Sequence, residues 1–107
     1  MKLWVDDVRP APEGYVWAKS VNEAKNFIKA RTFYIRVGVI PCDYSIELID
    51  IDHDAGDYAF DGGDFIKLLD WLEETGRNYP IRIHSMNPVG AANMRRIIER
   101  NGWKEIR

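Results

Sequence analysis

The chain has 107 residues, of which 46% are hydrophobic and 30% are charged, and its formal net charge is -2. This length predicts one domain over residues 1–107, and the small net charge excludes the strongly basic surface with which proteins hold long nucleic acids. The single cysteine excludes an internal disulfide and a cysteine-rich zinc site, and the lack of an apolar run of about 20 residues predicts a cytoplasmic protein without membrane contact.

The first half of the chain is predicted to hold four strands and one helix. Apolar or β-branched runs indicate the strands, which cover residues 3–5, 15–18, 34–40 and 46–51. A loop over 8–14 joins the first two strands, because its prolines and glycine exclude a helix. Ser20 and Glu23 form the capping-box pattern that opens a helix, which continues to about Arg31. The third strand is the weakest, since Gly38 interrupts it.

The second half continues the alternation of helices and strands. Apolar residues are spaced as in a helix over 64–75, which Gly76 ends, and as in a second helix from Pro88 to Asn101. Asn87 is suited to cap this second helix, and a proline is suited to its first turn. Two more strands are predicted over 81–83 and 103–107. The alternation is typical of a mostly parallel α/β sheet, which we expect to carry helices on both faces.

Both histidines of the chain follow predicted strands. His53 comes shortly after the strand over 46–51, and His84 comes directly after the strand over 81–83. Because open α/β sheets keep their ligand crevices at the carboxyl edge of their strands, we expect both imidazoles to lie there. A lone histidine in such a position is more often structural, but two at matched strand ends favour acid/base chemistry. Neighbouring carboxylates would favour the protonated form of His53 as a proton donor, and His84 would then be the base.

Four carboxylates are predicted at the same edge: Asp6, Asp7, Asp52 and Asp54. Two carboxylates about 5 Å apart repel by about 3 kcal/mol at an effective dielectric constant of about 20, so such a cluster must protonate, stay hydrated or bind a cation. Oxygen ligands without cysteine favour Mg²⁺. An acidic pair after a strand is also common in solvated turns. Three further carboxylates are assigned to the turn and to the next helix start: Asp57, Asp61 and Asp64.

Several residues near the histidines are suited to bind a phosphate. The planar guanidinium of Arg9 can clamp one, although most exposed arginines only solvate a surface. Ser85 and Asn87 add short polar groups, and Gly90 at the helix start would let an oxygen approach backbone N–H groups. The four tryptophans lie within predicted strands or helices and are interpreted as packing residues.

These motifs resemble those of a known family. The chain resembles the receiver domain of two-component signalling in three positions: an acidic pair after the first strand, Asp52 after a central strand and Ser85 after the next strand. Segments 3–10, 52–57 and 83–90 are more specifically similar to its divergent relatives, the cyclic-phosphate processing receiver domains. The resemblance implies a receiver-like, flavodoxin-like fold in which Asp6 and Asp7 bind Mg²⁺, the central aspartate accepts phosphate, and the serine contacts it.

The chain also departs from ordinary receivers. A loop replaces the first crossover helix, the last helix is missing, and Lys104 comes too early in the final strand to be a clear counterpart of the phosphate-contacting lysine. The direction of the strand over 15–18 is left open, because a parallel neighbour needs a crossover of about a dozen residues.

The function expected from these residues is hydrolysis of a cyclic phosphate by the two histidines, either beside a Mg²⁺ site or by a metal-free mechanism. The expected partner is a small phosphorylated ligand or an RNA terminus, and a protein partner is also compatible with the sequence. Two alternatives stay open: a signalling module phosphorylated on Asp52, and a domain that binds phosphate ends or a protein without catalysis.

Overall fold

The computed structural model describes residues 1–31, 33–34, 41–42 and 46–107. Its strands are β1 (Lys2–Val5), β2 (Tyr15–Ala18), β3 (Phe33–Tyr34), β4 (Pro41–Cys42), β5 (Leu48–Ile51) and β6 (Ile81–Ile83). Its helices are α1 (Val21–Ala30), α2 (Ile66–Glu74) and α3 (Pro88–Asn101), and a short 3-10 turn covers Gly56–Tyr58.

Four of the strands form one parallel sheet in the order β2-β1-β5-β6, while β3 and β4 form a separate antiparallel pair. Val5 is paired with Ala18 on one side and with Ile51 on the other, and Ile51 is paired with Ile83. The last residues of all four strands are therefore level, and the loops that follow them leave from one edge. This confirms the receiver-like α/β fold and shows that β2 runs parallel to β1.

The core lies on one face of the sheet. Alternate strand residues such as Leu3 and Ile49 are fully buried together with Leu68 of α2 and Met94 of α3. Helix α1 contacts α2, and α2 contacts α3, so the described helices form a single layer against this face. The expectation of helices on both faces is therefore wrong for the described part of the chain.

The handedness of parallel connections explains this one-sided arrangement. Right-handed crossovers that move across the sheet in one direction all lie on the same face. The connections from β2 to β5 and from β5 to β6 move in one direction, and only the connection from β1 to β2 moves in the other. That connection holds no helix, because the prolines of the loop over 8–14 prevent one.

Most predicted boundaries are confirmed within a few residues. The Ser20 hydroxyl accepts the N–H of Glu23 at 3.0 Å, and the Asn87 side chain accepts the N–H of Gly90 at 3.0 Å, so both predicted caps form. The predicted terminal strand is wrong, because it makes only an isolated parallel bridge between Ile81 and Glu105. The strand predicted over 34–40 falls mainly on residues outside the described ranges. None of the described helices is long and apolar enough to cross a membrane.

Candidate functional site

Three carboxylates meet at the carboxyl edge of the two central strands. Asp6 and Asp7 follow β1, and Asp52 follows its neighbour β5. One carboxylate oxygen from each lies within 4.8 Å of the others, and we call these three residues the acidic group. Asp54, predicted as a fourth ligand, is not part of this set. The strand ends thus bring together three of the four predicted ligands.

Charge within the acidic group is only partly compensated. Burial opposes ionisation of Asp6, but backbone N–H groups of Arg9 and Val8, each 2.9 Å from its Oδ1, and the imidazole of His84 hold the pKa of Asp6 below its usual value. Burial, together with the charges of Asp6 and Asp52, raises the pKa of Asp7. A divalent cation would relieve this repulsion, and oxygen ligands of this kind suit Mg²⁺.

Gly56 has a positive φ of 52°, and it lies against the acidic group. A Cβ atom at this position would collide with Oδ2 of Asp7, so the absence of a side chain allows the loop after β5 to rest on that carboxylate. The loop is then tied to the start of α1, because Asp61 accepts hydrogen bonds from Ser20 and Asn22. Asp61 was predicted to serve the turn and the start of the helix that follows it. It instead joins the loop after β5 to the start of α1.

His84 is held between two buried carboxylates. Its Nδ1 lies 2.6 Å from Oδ1 of Asp50, and its Nε2 lies 2.9 Å from Oδ2 of Asp6. Both nitrogens must carry a hydrogen to donate to two ionised carboxylates, which is the imidazolium form. Burial alone would lower the pKa of His84, but the hydrogen bonds and charges of Asp50 and Asp6 raise it. His84 therefore has no ring nitrogen free to accept a proton in this arrangement.

The ring of Trp4 covers this imidazolium. The two rings are stacked, with centroids 3.9 Å apart and planes within 5° of each other, a geometry that favours a cation over an indole. The indole N–H of Trp4 donates to the carbonyl of Arg9 at 2.8 Å, and Nη1 of Arg9 donates to the carbonyl of His84 at 3.3 Å. This closed set of contacts fixes the loop after β1 over His84 and leaves most guanidinium N–H groups of Arg9 available.

Asp50 is a site residue that the sequence analysis missed. It lies inside β5 between Ile49 and Ile51, and its side chain is buried on the face opposite the core, where Trp4 and Arg82 flank it in register. The available signal was an aspartate within an apolar strand, because a buried carboxylate needs a partner. Trp4 was interpreted only as a packing residue, and its stacking on His84 gives it a second role.

His53 has a different environment from His84. Its Nδ1 lies 2.7 Å from Oδ1 of Asp54, which also accepts the side-chain N–H of Asn87 at 3.3 Å. The hydrogen bonds from His53 and Asn87 lower the pKa of Asp54. The backbone N–H of His53 donates to Oδ1 of Asp52 at 2.8 Å, which places His53 directly beside the acidic group. Among the described residues, none makes a hydrogen bond to Nε2 of His53.

The start of α3 packs against His53. A Cβ atom at Gly90 would lie 2.6 Å from both Cδ2 and Nδ1 of the His53 ring, so the ring occupies the space that a side chain would need. Gly90 was predicted to admit a phosphate oxygen, but its N–H is taken by the Asn87 cap. The Ser85 hydroxyl accepts the N–H of Asn87 at 3.0 Å and keeps its own hydrogen available to donate.

The structure thus places the predicted residues on one edge in two connected parts. The first part is the acidic group with His84 and Arg9, and the second is His53 with its partners Asp54, Asn87 and Gly90. Asp52 and His53 join the two parts through adjacent positions in the chain.

Comparison with known proteins identifies the family to which the chain belongs. The family model of the cyclic-phosphate processing receiver domain matches residues 1–100. Searches of curated proteins and of solved structures gave no significant match.

Proposed function

Because the chain belongs to the cyclic-phosphate processing receiver domain family, we propose that it is a phosphoesterase that opens a cyclic phosphate ester. In this reaction the oxygen of a water molecule bonds to phosphorus, one ring P–O bond breaks, and the released alkoxide takes up a proton to give a phosphate monoester. The observation that carries the proposal is His53, whose ring is anchored at Nδ1 while Nε2 has no partner among the described residues, beside a carboxylate of the acidic group.

Acid/base chemistry is assigned to His53. A carboxylate behind one ring nitrogen fixes the tautomer and makes the opposite nitrogen a better base, as in other carboxylate–histidine pairs. Asp54 supplies that carboxylate, and its lowered pKa keeps it ionised. Nε2 of His53 is therefore proposed to take the proton of the attacking water. This differs from the sequence-based expectation, in which His84 was the base.

His84 is proposed to act through Asp6. Its imidazolium is bound at both nitrogens, so it cannot accept a proton without losing a contact. It instead holds Oδ2 of Asp6 in one position and places a positive charge beside the acidic group. His84 and Asp50 are in this sense positioning residues for the carboxylates.

Mg²⁺ is the proposed metal, held by Asp6, Asp7 and Asp52. When bound, it would supply charge stabilisation to the phosphoryl oxygens. The donor set fits such an ion, because it consists of carboxylate oxygens only, and a carboxylate oxygen that accepts one N–H retains a second lone pair. Arg9 and the hydroxyl of Ser85 are proposed to orient the phosphate.

The test is a panel of nucleoside 2′,3′-cyclic phosphates and RNA with cyclic ends, assayed for monoester release with and without EDTA. His53→Gln is expected to lower kcat by about 10²- to 10⁴-fold, the usual contribution of general acid–base catalysis. Asp57→Asn, an exposed carboxylate on the same loop, is the matched control and is expected to leave the rate unchanged. A His53→Gln variant with wild-type rates on every active substrate would refute the assignment.

A second candidate function is phosphoryl acceptance by Asp52. The position of Asp52 beside Asp6 and Asp7 favours it, as in the receivers that the chain resembles. Lys104 does not, because it lies level with the amino end of β6, at the edge opposite the acidic group. Incubation with Mg²⁺ and acetyl phosphate followed by intact-mass measurement distinguishes the candidates. A stable phosphate adduct that Asp52→Asn abolishes would favour signalling.

A further inference from the structure

Large apolar side chains are exposed on the loops that carry the proposed site. In the described ranges, four large hydrophobic residues are exposed to solvent: Val8 (73%), Phe60 (85%), Met86 (82%) and Val89 (71%). They belong to the segments that follow β1, β5 and β6, so all of them leave the sheet at its carboxyl edge. We call these four residues the apolar rim.

Each part of the apolar rim is joined to the acidic group or to His53 by described contacts. Val8 directly follows Asp7, and its N–H donates to Asp6. Phe60 lies in the loop that rests on Asp7 at Gly56, and its ring faces that of Tyr58, with centroids 6.3 Å apart and planes 26° from parallel. The remaining two residues flank the Asn87 cap, which contacts Asp54. The apolar rim therefore lies on the same loops that carry the acidic group and the partners of His53.

This arrangement is the reverse of a protein-binding surface. Protein interfaces bury an apolar centre inside a polar margin and need about 800 Å² on each partner. Here the acidic group is buried or half-buried, and the exposed apolar groups lie on separate loops at the same edge of the sheet. A small ligand with a charged part and a flat apolar part fits better, since its phosphate would lie at the centre and its ring at the margin.

We propose that Phe60, supported by Tyr58, is the stacking surface for the nucleobase of the substrate, and that Val8, Met86 and Val89 complete the apolar margin. Aromatic side chains accept any base because every base presents a π face. This inference rests on the proposed function and narrows its substrate class to nucleoside cyclic phosphates and RNA ends. Cyclic phosphates without a base would lack this contact.

The experiment compares three substrates: adenosine 2′,3′-cyclic phosphate, a short RNA with a 2′,3′-cyclic end, and glycerol 1,2-cyclic phosphate. Phe60→Ala is expected to raise KM for the two base-containing substrates by about 5- to 150-fold, the range that loss of one base stack produces. The same variant should leave kinetics on the glycerol ester unchanged. Phe60→Trp should retain wild-type KM values, and Phe60→Leu, which keeps apolar surface without a π face, should not.

A binding experiment distinguishes failure of this inference from failure of the proposed function. Adenosine 2′-monophosphate and glycerol 2-phosphate are titrated by calorimetry into the wild-type protein and into Phe60→Ala, whatever the catalytic result. Tighter binding of the nucleotide that Phe60→Ala removes would support the inference even if no substrate is hydrolysed. Three results would overturn it. The two ligands would bind with equal affinity, or Phe60→Ala would raise KM for the glycerol ester as much as for the nucleotides. The third is a wild-type dimer in size-exclusion chromatography that Phe60→Ala dissociates.

Discussion

Gly90→Ala is expected to impair the proposed chemistry while leaving the fold almost intact. Its Cβ would overlap Cγ of His53 and lie 2.6 Å from Cδ2 and Nδ1, whereas ordinary contacts begin at about 3.4 Å, so the ring must retreat by about 1 Å. A displacement of about 1 Å in a catalytic group can reduce activity by about 10²-fold. We therefore expect a fall of about that size in kcat on cyclic nucleotides.

The effect of Gly90→Ala on the free energy of unfolding is limited because opposing contributions partly cancel. Alanine in a helix is favoured over glycine by up to about 1 kcal/mol. An off-rotamer His53 side chain costs about 0.5–1.5 kcal/mol, and the loss of its hydrogen bond to Asp54 costs about 1.5–3 kcal/mol. The free energy of unfolding should therefore fall by no more than about 3–4 kcal/mol, within the range that a folded domain tolerates.

Three measurements test this prediction. Urea denaturation gives the change in unfolding free energy, long-range ¹H–¹⁵N spectra report the tautomer of the His53 ring, and hydrolysis assays give kcat. In the double variant with His53→Gln, Gly90→Ala should cause no further loss of activity, since both changes act through the same ring. Wild-type ring signals together with wild-type kcat in Gly90→Ala would refute the reasoning.

Three further predictions concern the carboxylates. Burial and the charges of Asp6 and Asp52 raise the pKa of Asp7, so Asp7→Asn should raise Tm in EDTA at pH 7. It should also abolish the rise in Tm that Mg²⁺ causes in the wild type. A retained Mg²⁺ response would contradict the proposed ligand set. Asp50→Asn removes one carboxylate from a buried ion pair and should lower the free energy of unfolding by about 3–5 kcal/mol in urea titrations, whereas the exposed control Asp57→Asn should not. The pKa of His84 is raised in the folded state, so in EDTA its contribution to the free energy of unfolding should be complete below pH 6.5. That contribution should be lost as pH rises through the folded-state pKa. His84→Gln should remove this pH dependence, and an unchanged slope of unfolding free energy against pH would exclude His84 as its origin.

The sequence predicted that the histidines and the acidic residues share one edge of the sheet, because that conclusion depends only on local pattern. Short apolar runs followed by polar residues mark the ends of strands, and parallel strands carry those ends to one edge. His53, His84 and Asp52 could be assigned in this way without knowing the strand order. The caps at Ser20 and Asn87 are likewise local features.

The contacts within the site could not be predicted because they depend on strand order and register. Asp50 reaches His84 only because β5 lies beside β6, and Trp4 reaches it because β1 lies on the other side of β5. The contact of Gly90 could not be predicted either. The sequence indicates that some group approaches its backbone closely, but not that this group is the ring of His53. Strand order combined with right-handed crossovers would also have predicted helices on one face.

Charge balance leads to one consequence for the whole site. With the three carboxylates of the acidic group and that of Asp50 ionised, the imidazolium of His84 leaves up to three net negative charges at this edge. A cyclic phosphate diester is itself an anion, so Arg9 alone cannot offset the repulsion that it would meet. We therefore expect inorganic phosphate to bind in the presence of Mg²⁺ and to show no binding in EDTA by calorimetry. Equal phosphate affinity under the two conditions would mean that the anion is held elsewhere, by groups other than those that surround the acidic group.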